Sequence, residues 1–158
     1  MKVKIFHATD KKQKHKLVRE KYNDRVPSEE IDTSEVWAIT DESGKGQGLI
    51  MLTREDAWKQ KSDHCARLSH MAVDYNQEIT LEMYCHVEQY CIESNIDSLS
   101  ISVPKDLKDV KNFLKRLGYK KLALLEVGAN FPDGNTECWG INNIKEFWEE
   151  GKGRKIKQ

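Results

Sequence analysis

The chain has 158 residues, enough for one domain of ordinary size with a substantial core. Charged residues make up 33% and apolar residues 38%, and the formal net charge is zero, so no global field draws in nucleic acid or a membrane surface. No apolar run is long enough to span a bilayer.

The opening Met-Lys-Val-Lys-Ile-Phe is too short and too alternating for a secretory signal. Cys65, Cys85, Cys91 and Cys138 show no paired framework and read as reduced thiols of a cytoplasmic protein. Val3–Phe6 reads as a short strand. Thr9 and Asp10 can cap a helix from Lys11 to about Tyr22, with Leu17 and Val18 inward. Its cations Lys11, Lys12, Lys14, Lys16, Arg19 and Lys21 have no aromatic residues between them, so they read as a solvated face rather than a nucleic-acid surface. Pro27 to Ile31 reads as a loop and a capped helical turn, and Glu29, Glu30, Asp32 and Glu35 make this segment acidic. The acidic and basic arms are expected to neutralise each other in part.

Val36–Thr40 and Gly48–Thr53 alternate as hairpin strands around an Asx turn at Asp41 to Gly44. Gly44, Gly46 and Gly48 resemble a phosphate cradle only in composition, because no helix N-terminus follows them. Arg54–His64 is polar and reads as a helical turn or an irregular connection. Ala66–Val73 is the next strand, with Ala66, Leu68, Met71 and Val73 on its apolar positions. Asp74 and Gln77 form a capping-box pattern before a long helix, whose stripe is Ile79, Met83, Val87, Tyr90 and Cys91. Asn95 stops it, Leu99–Val103 alternates as a strand, and Pro104 cannot continue a central one.

Leu107, Val110, Phe113, Leu114 and Leu117 line a second amphipathic helix that Gly118 ends. Lys121–Val127 and Glu137–Ile141 read as a final hairpin around the turn at Asn130 to Asn135. Ile144, Phe147 and Trp148 mark a short C-terminal helix. A single domain over 1–150 and a flexible basic tail over 151–158 are expected. His64, Cys65 and His70, like Cys85, His86 and Cys91 on the long helix, do not repeat a zinc spacing, so no metal site is expected.

Ala72-Val73-Asp74, the helix after it, Leu99 to Val103, and Phe113 with Leu117-Gly118-Tyr119 resemble the central motifs of the GNAT superfamily of acyl-CoA-dependent N-acyltransferases. The resemblance implies an α/β fold: a mixed sheet flanked by helices, with two central strands splayed apart. It implies acetyl-CoA or another acyl-CoA as cofactor, with pantetheine on the backbone of Met71, Ala72 and Val73. The pyrophosphate would rest where the next helix begins, at Glu78, Ile79, Thr80 and Leu81. The family's loop there carries a basic residue and small residues, and this chain has Glu78, Leu81 and Met83 instead. Where the family often has Phe-Tyr, the Tyr protonating the thiolate, the chain has Phe113 and Leu114; where it has Asn, the chain has Leu107.

A carboxylate base is common on the fourth strand of the family. This strand offers Arg67 and His70, and an imidazole ordinarily titrates where proton transfer near neutrality needs it, so His70 is the candidate base. Tyr75, Tyr84 and Tyr119 are the replacement candidates for the acid. Two readings follow. One is a divergent N-acyltransferase moving an acyl group, acetyl for instance, from a CoA thioester to a small-molecule or protein amine. The other is a catalytically inactive GNAT-fold protein that acts as a binding module and needs no cofactor. Neither nucleic acid nor membrane is expected as a partner, and the sequence does not set the oligomeric state.

Overall fold

The computed structural model describes residues 3–43, 46–56, 60–73, 78–122 and 135–151. The expected capping box at Asp74 and Gln77, the strand and turn between 123 and 134, and the tail from 152 lie outside the described residues. Among the described residues, seven strands form one mixed sheet in the order β1-β2-β3-β4-β5-β7-β6, flanked by helices. The chain divides into two compact units, Met1–Thr53 with Ser69–Asp74, and Arg54–Leu68 with Tyr75–Gln158.

In the first unit, β1 (Val3–Ala8), β2 (Glu35–Asp41) and β3 (Gly46–Thr53) make an antiparallel meander. The turn after β2 is the expected Asx type: Asp41 Oδ1 accepts from Ser43 N at 2.9 Å and from Ser43 Oγ at 2.6 Å. Helices α1 (Lys11–Tyr22) and α2 (Ser28–Thr33) connect β1 to β2. Asp10 caps α1 by accepting from Gln13 N at 3.0 Å. Leu17, Val18, Val26 and Ile31 pack with Val36, Ala38, Leu49 and Met51 in one cluster, so α1 and α2 cover the face of β3 that carries Leu49 and Met51. The basic and acidic arms meet as expected. His15 Nε2 donates to Asp32 Oδ1 at 2.7 Å, Lys11 Nζ lies 3.8 Å from Asp32 Oδ2, and Lys14 Nζ donates to the Asp32 carbonyl at 3.3 Å. The His15 hydrogen bond is the main reason the Asp32 carboxyl sits below the usual carboxylate range.

Strand β4 (Cys65–Ala72) contributes to both units. In the second unit its start pairs in parallel with β5 (Ser98–Pro104), from Cys65↔Ser98 to Leu68↔Ile101. No further β4–β5 pair is present among the described residues, although both strands run on; this is the splay that the family resemblance implies. Residues 54–56 and 60–64, between β3 and β4, are irregular. Glu55 and Lys61 form an isolated bridge, and the Asp56 N–H donates to the Gln60 carbonyl at 2.9 Å.

Helix α3 (Glu78–Glu93) follows β4 and α4 (Lys108–Leu117) follows β5. Asn95 takes a left-handed φ of 60°, and Ile96 N donates back to Cys91 O at 2.8 Å, so α3 ends where the sequence indicates. Gly118 ends α4 at φ 91° in the same way. Strands β6 (Lys120–Lys121) and β7 (Thr136–Ile141) pair antiparallel, β7 also pairs antiparallel with β5, and α5 (Ile144–Glu149) closes the described chain. Gly140 in β7 has φ 151°, and a Cβ there would lie 1.9 Å from the Leu99 carbonyl oxygen, so the position requires glycine.

The buried face of α3 is broader than its expected stripe. Met83, Val87 and Cys91 are buried, but Ile79 and Tyr90 are only half-buried, while Thr80, Leu81, Tyr84, Cys85 and Glu88 are buried as well. Aromatic contacts explain the shift. The Tyr84 ring meets Phe113 of α4 at 5.4 Å and Tyr119 at 5.9 Å, and Tyr119 meets Phe147 of α5 at 6.1 Å.

Candidate active site

In the first unit, the candidate base is held by a carboxylate. His70 Nε2 lies 2.9 Å from Glu30 Oε1, with side chains 30% and 31% exposed. A carboxylate only accepts hydrogen bonds, so Nε2 carries a proton, and the neutral form of the ring in this geometry has its lone pair on Nδ1. The Tyr22 ring packs against the imidazole, with centroids 5.5 Å apart and planes tilted by 56°. The Arg25 guanidinium carbon lies over the Tyr22 ring, 5.9 Å from its centroid. Glu30 is itself fixed by local structure. Its N–H donates to Pro27 O at 3.1 Å as α2 begins, and its carbonyl accepts from Ser34 Oγ at 2.6 Å as α2 ends. The histidine is thus oriented by a second side chain, the arrangement that activates a general base.

Sequence reasoning placed Glu30 in an acidic segment and missed its role. The pair spans 40 positions, and only the fold of α2 brings them together. Arg67, the other polar residue considered on β4, is occupied elsewhere: its Nη2 and Nε donate to Glu55 Oε2 at 2.9 and 3.2 Å. Met71 and Ala72 end β4, Val73 follows it, one residue beyond the strand, and all three are half-buried.

In the second unit, Glu78 is exposed at the start of α3, its Oε1 3.7 Å from Arg116 Nη2 of α4. Ile79 is half-buried, and Thr80 and Leu81 are 0% and 1% exposed. Thr80 and Leu81 are thus closed to a ligand, backbone included, and Glu78 and Ile79 carry the accessible surface at this helix start. Phe113 and Leu114 are core residues, and Leu107 is exposed. Of the tyrosines considered as acids, Tyr84 and Tyr119 are buried, and Tyr75 lies outside the described residues.

Tyr119 donates its hydroxyl to Glu88 Oε2 at 2.5 Å, and Trp148 Nε1 donates to Glu88 Oε1 at 2.8 Å. Glu88 is 1% exposed. Burial pushes its carboxyl up to about 7 against the pull of both hydrogen bonds, and burial with the neighbouring Glu88 charge pushes the Tyr119 hydroxyl far up. The sequence hid this carboxyl on an apolar helix face. Among the described residues, no group of three or more His, Cys, Asp and Glu side chains is placed to hold a metal ion. No helix is long and apolar enough to cross a membrane among the described residues.

No protein-family model matches the sequence, and none of the curated proteins matches it. Solved structures do. The chain has the fold of the GNAT acetyltransferases. A GNAT-family acetyltransferase from Staphylococcus aureus Mu50 superposes with a TM-score of 0.62 at 17% identity, over 89% of this chain and 99% of that one. A spermidine N-acetyltransferase chimera from Vibrio cholerae gives 0.60 at 7% identity, over 94% and 99%. An IAA acetyltransferase from Bacillus cereus gives 0.58 at 11% identity, over 88% and 96%.

Proposed function

We propose that this protein is an N-acyltransferase that moves an acyl group from a CoA thioester to an amine, with His70 as general base. The observation that carries this reading is the His70–Glu30 pair at 2.9 Å. Nδ1 of His70 takes a proton from the acceptor nitrogen as that nitrogen becomes the nucleophile. Glu30 holds the ring in the tautomer that leaves Nδ1 basic and stabilises the imidazolium that forms. Tyr22 packs against one side of the ring and limits its rotation.

The chain's residues fit an acyl-CoA through backbone more than through side chains. In the first unit, Met71, Ala72 and Val73 are half-buried extended backbone suited to amide groups such as those of pantetheine. In the second, Glu78 and Ile79 open a sixteen-residue helix, whose N-terminal N–H groups suit a pyrophosphate. Arg116, beside Glu78, supplies the cation that the loop sequence lacks. When bound, the thioester supplies an acyl carbonyl already activated for attack.

The test is direct. The purified protein is titrated with acetyl-CoA by calorimetry, and thiol release is followed with a panel of amines. Binding, with thiol release that His70→Gln reduces, supports the reading. Release unchanged by His70→Gln removes the role given to His70. If neither acetyl-CoA nor CoA binds, the acyltransferase reading falls. The inactive binding module then remains, the reading favoured by Leu114 and Leu107 at the positions of the family's Tyr and Asn.

A further inference from the structure

A cavity of about 480 Å³ opens in the first unit between α1 and the β2–β3 hairpin. Leu17, Glu20 and Lys21 line it from α1; Ser43, Gly46, Gly48 and Leu49 line it from the hairpin. Its size suits a small ligand. Leu17 and Leu49 belong to the unit's core cluster and give the cavity an apolar floor. Leu49 also fixes which face of β3 the cavity is on. It is the face covered by α1 and α2, and His70 reaches both helices, through Tyr22 and Glu30.

Most charges of α1 that lie away from the cavity are engaged; Lys12 and Lys16 have no hydrogen bond or ion pair among the described residues. Lys11, Lys14 and His15 turn to Asp32 of α2, and Arg19 donates to the carbonyls of Asn23 and Val26 and to Ser28 Oγ. Glu20 is the sole carboxylate of α1 and lines the cavity. Neither it nor Lys21 has a hydrogen bond or ion pair among the described residues. An anion and a cation on adjacent residues thus face one apolar-floored space, each without a partner among the described residues.

We infer that this cavity receives the acyl acceptor, and that the acceptor is a small zwitterion of amino-acid type, an ammonium and a carboxylate on a short aliphatic body. Glu20 takes the ammonium, Lys21 the carboxylate, and Leu17 with Leu49 the aliphatic part. The word acceptor rests on the acyltransferase reading; the binding chemistry does not. A simple amine would leave Lys21 without a partner, and a simple acid would leave Glu20 so.

Gly46 gives a clean probe. A Cβ added there meets nothing within 4 Å, so a larger side chain has room to enter the cavity. Gly48 does not: its Cβ would lie 3.2 Å from the Ala72 carbonyl oxygen.

The experiment uses L-leucine, 3-methylbutylamine and 4-methylpentanoate, which share one aliphatic body. Binding to the full chain is measured by titration calorimetry with no CoA present. L-leucine should bind more tightly than either fragment, and Gly46→Phe should abolish binding. Glu20→Gln should weaken L-leucine and the amine about tenfold and spare the acid; Lys21→Gln should weaken L-leucine and the acid about tenfold and spare the amine. Glu20 and Lys21 are exposed, so these variants keep the test in force if Gly46→Phe fails to fold. The inference is overturned if L-leucine fails to bind the parent, binds a folded Gly46→Phe variant undiminished, or responds to neither charge change. L-leucine binding without acyl transfer to any amine would keep the cavity's chemistry and remove the acyltransferase reading. Acyl transfer to other amines without L-leucine binding would do the opposite.

Discussion

Trp148 donates its indole N–H to Glu88 Oε1 at 2.8 Å, fastening α5 to the middle of α3 through a carboxyl that is 1% exposed. Both hydrogen-bond donors at this carboxyl are neutral, so nothing offsets the cost of burying its charge in full.

Stability should therefore fall as pH rises through neutrality. The folded Glu88 carboxyl titrates at about 7 and its ordinary value is 4.5, so between these the folded state holds the proton more tightly than the unfolded one. The contribution is fully present below about 4.5 and lost as pH passes about 7. It amounts to about 3 kcal/mol at most. Gln at this position cannot ionise, and it can accept from Trp148 while donating to the Tyr119 oxygen. The Tm of Glu88→Gln minus that of the parent should grow between about pH 5 and about pH 8. A gap independent of pH would show that the folded Glu88 is ionised over this whole range, as it is in the unfolded chain.

His70→Gln should lower kcat/KM for acyl transfer by about a hundredfold or more, the usual worth of a general base. Glu30→Gln should lower kcat by about tenfold and leave the KM for the amine almost unchanged, because Glu30 acts through the imidazole. Steady-state kinetics on both variants make the check. Equal loss in kcat and rise in KM for Glu30→Gln would mark a general disturbance of α2 instead of a positioning role.

Charge at the start of α3 should tune CoA affinity. Glu78→Arg should tighten CoA binding severalfold at low salt, and Arg116→Ala should weaken it. Pantetheine, which has no nucleotide end, should respond to neither change. Calorimetry with both ligands decides this. Replacing Leu81 by Gly to mimic the family loop would hollow the core at a cost of about 3 kcal/mol or more, because Leu81 is buried. That change is a poor probe of binding.

Two glycines should separate in a thermal melt. Gly140→Ala places a Cβ 1.9 Å from the Leu99 carbonyl oxygen and should cost about 3 kcal/mol or more. Gly46→Ala meets no atom within 4 Å and should be close to neutral. Met83→Asp, at a fully buried position of α3, should rival Gly140→Ala, because it leaves an unpaired charge in the core. A Met83→Asp variant melting within a few degrees of the parent would refute that placement.

The parts of this fold that follow local rules were legible in the sequence. Leu99–Val103 alternates, Asn95 and Gly118 take left-handed φ values at helix ends, and Asp41 closes an Asx turn; each is decided within a few residues. The phase of α3 was not legible, because its buried face is chosen by partners: Tyr84 goes inward to meet Phe113 and Tyr119, and Tyr90 stays half-buried. His70 stood out by residue type. Glu30 did not, since one carboxylate in an acidic stretch is like its neighbours until the chain brings it beside the ring. Glu88 was hidden for the converse reason, since charge predicts exposure and its hydrogen-bond donors, Tyr119 and Trp148, lie 31 and 60 positions away.

Three of the four thiols are buried: Cys85, Cys91 and Cys138. Burial also pushes Cys91 up to about 12 and Cys138 up to about 11, so both stay protonated and unreactive at neutral pH. Cys65 alone is partly accessible. A maleimide dye added to the native protein should therefore attach at one position, where β4 begins its ladder with β5. The natural sequence carries its own fluorescent reporter site, with no residue changed to create it.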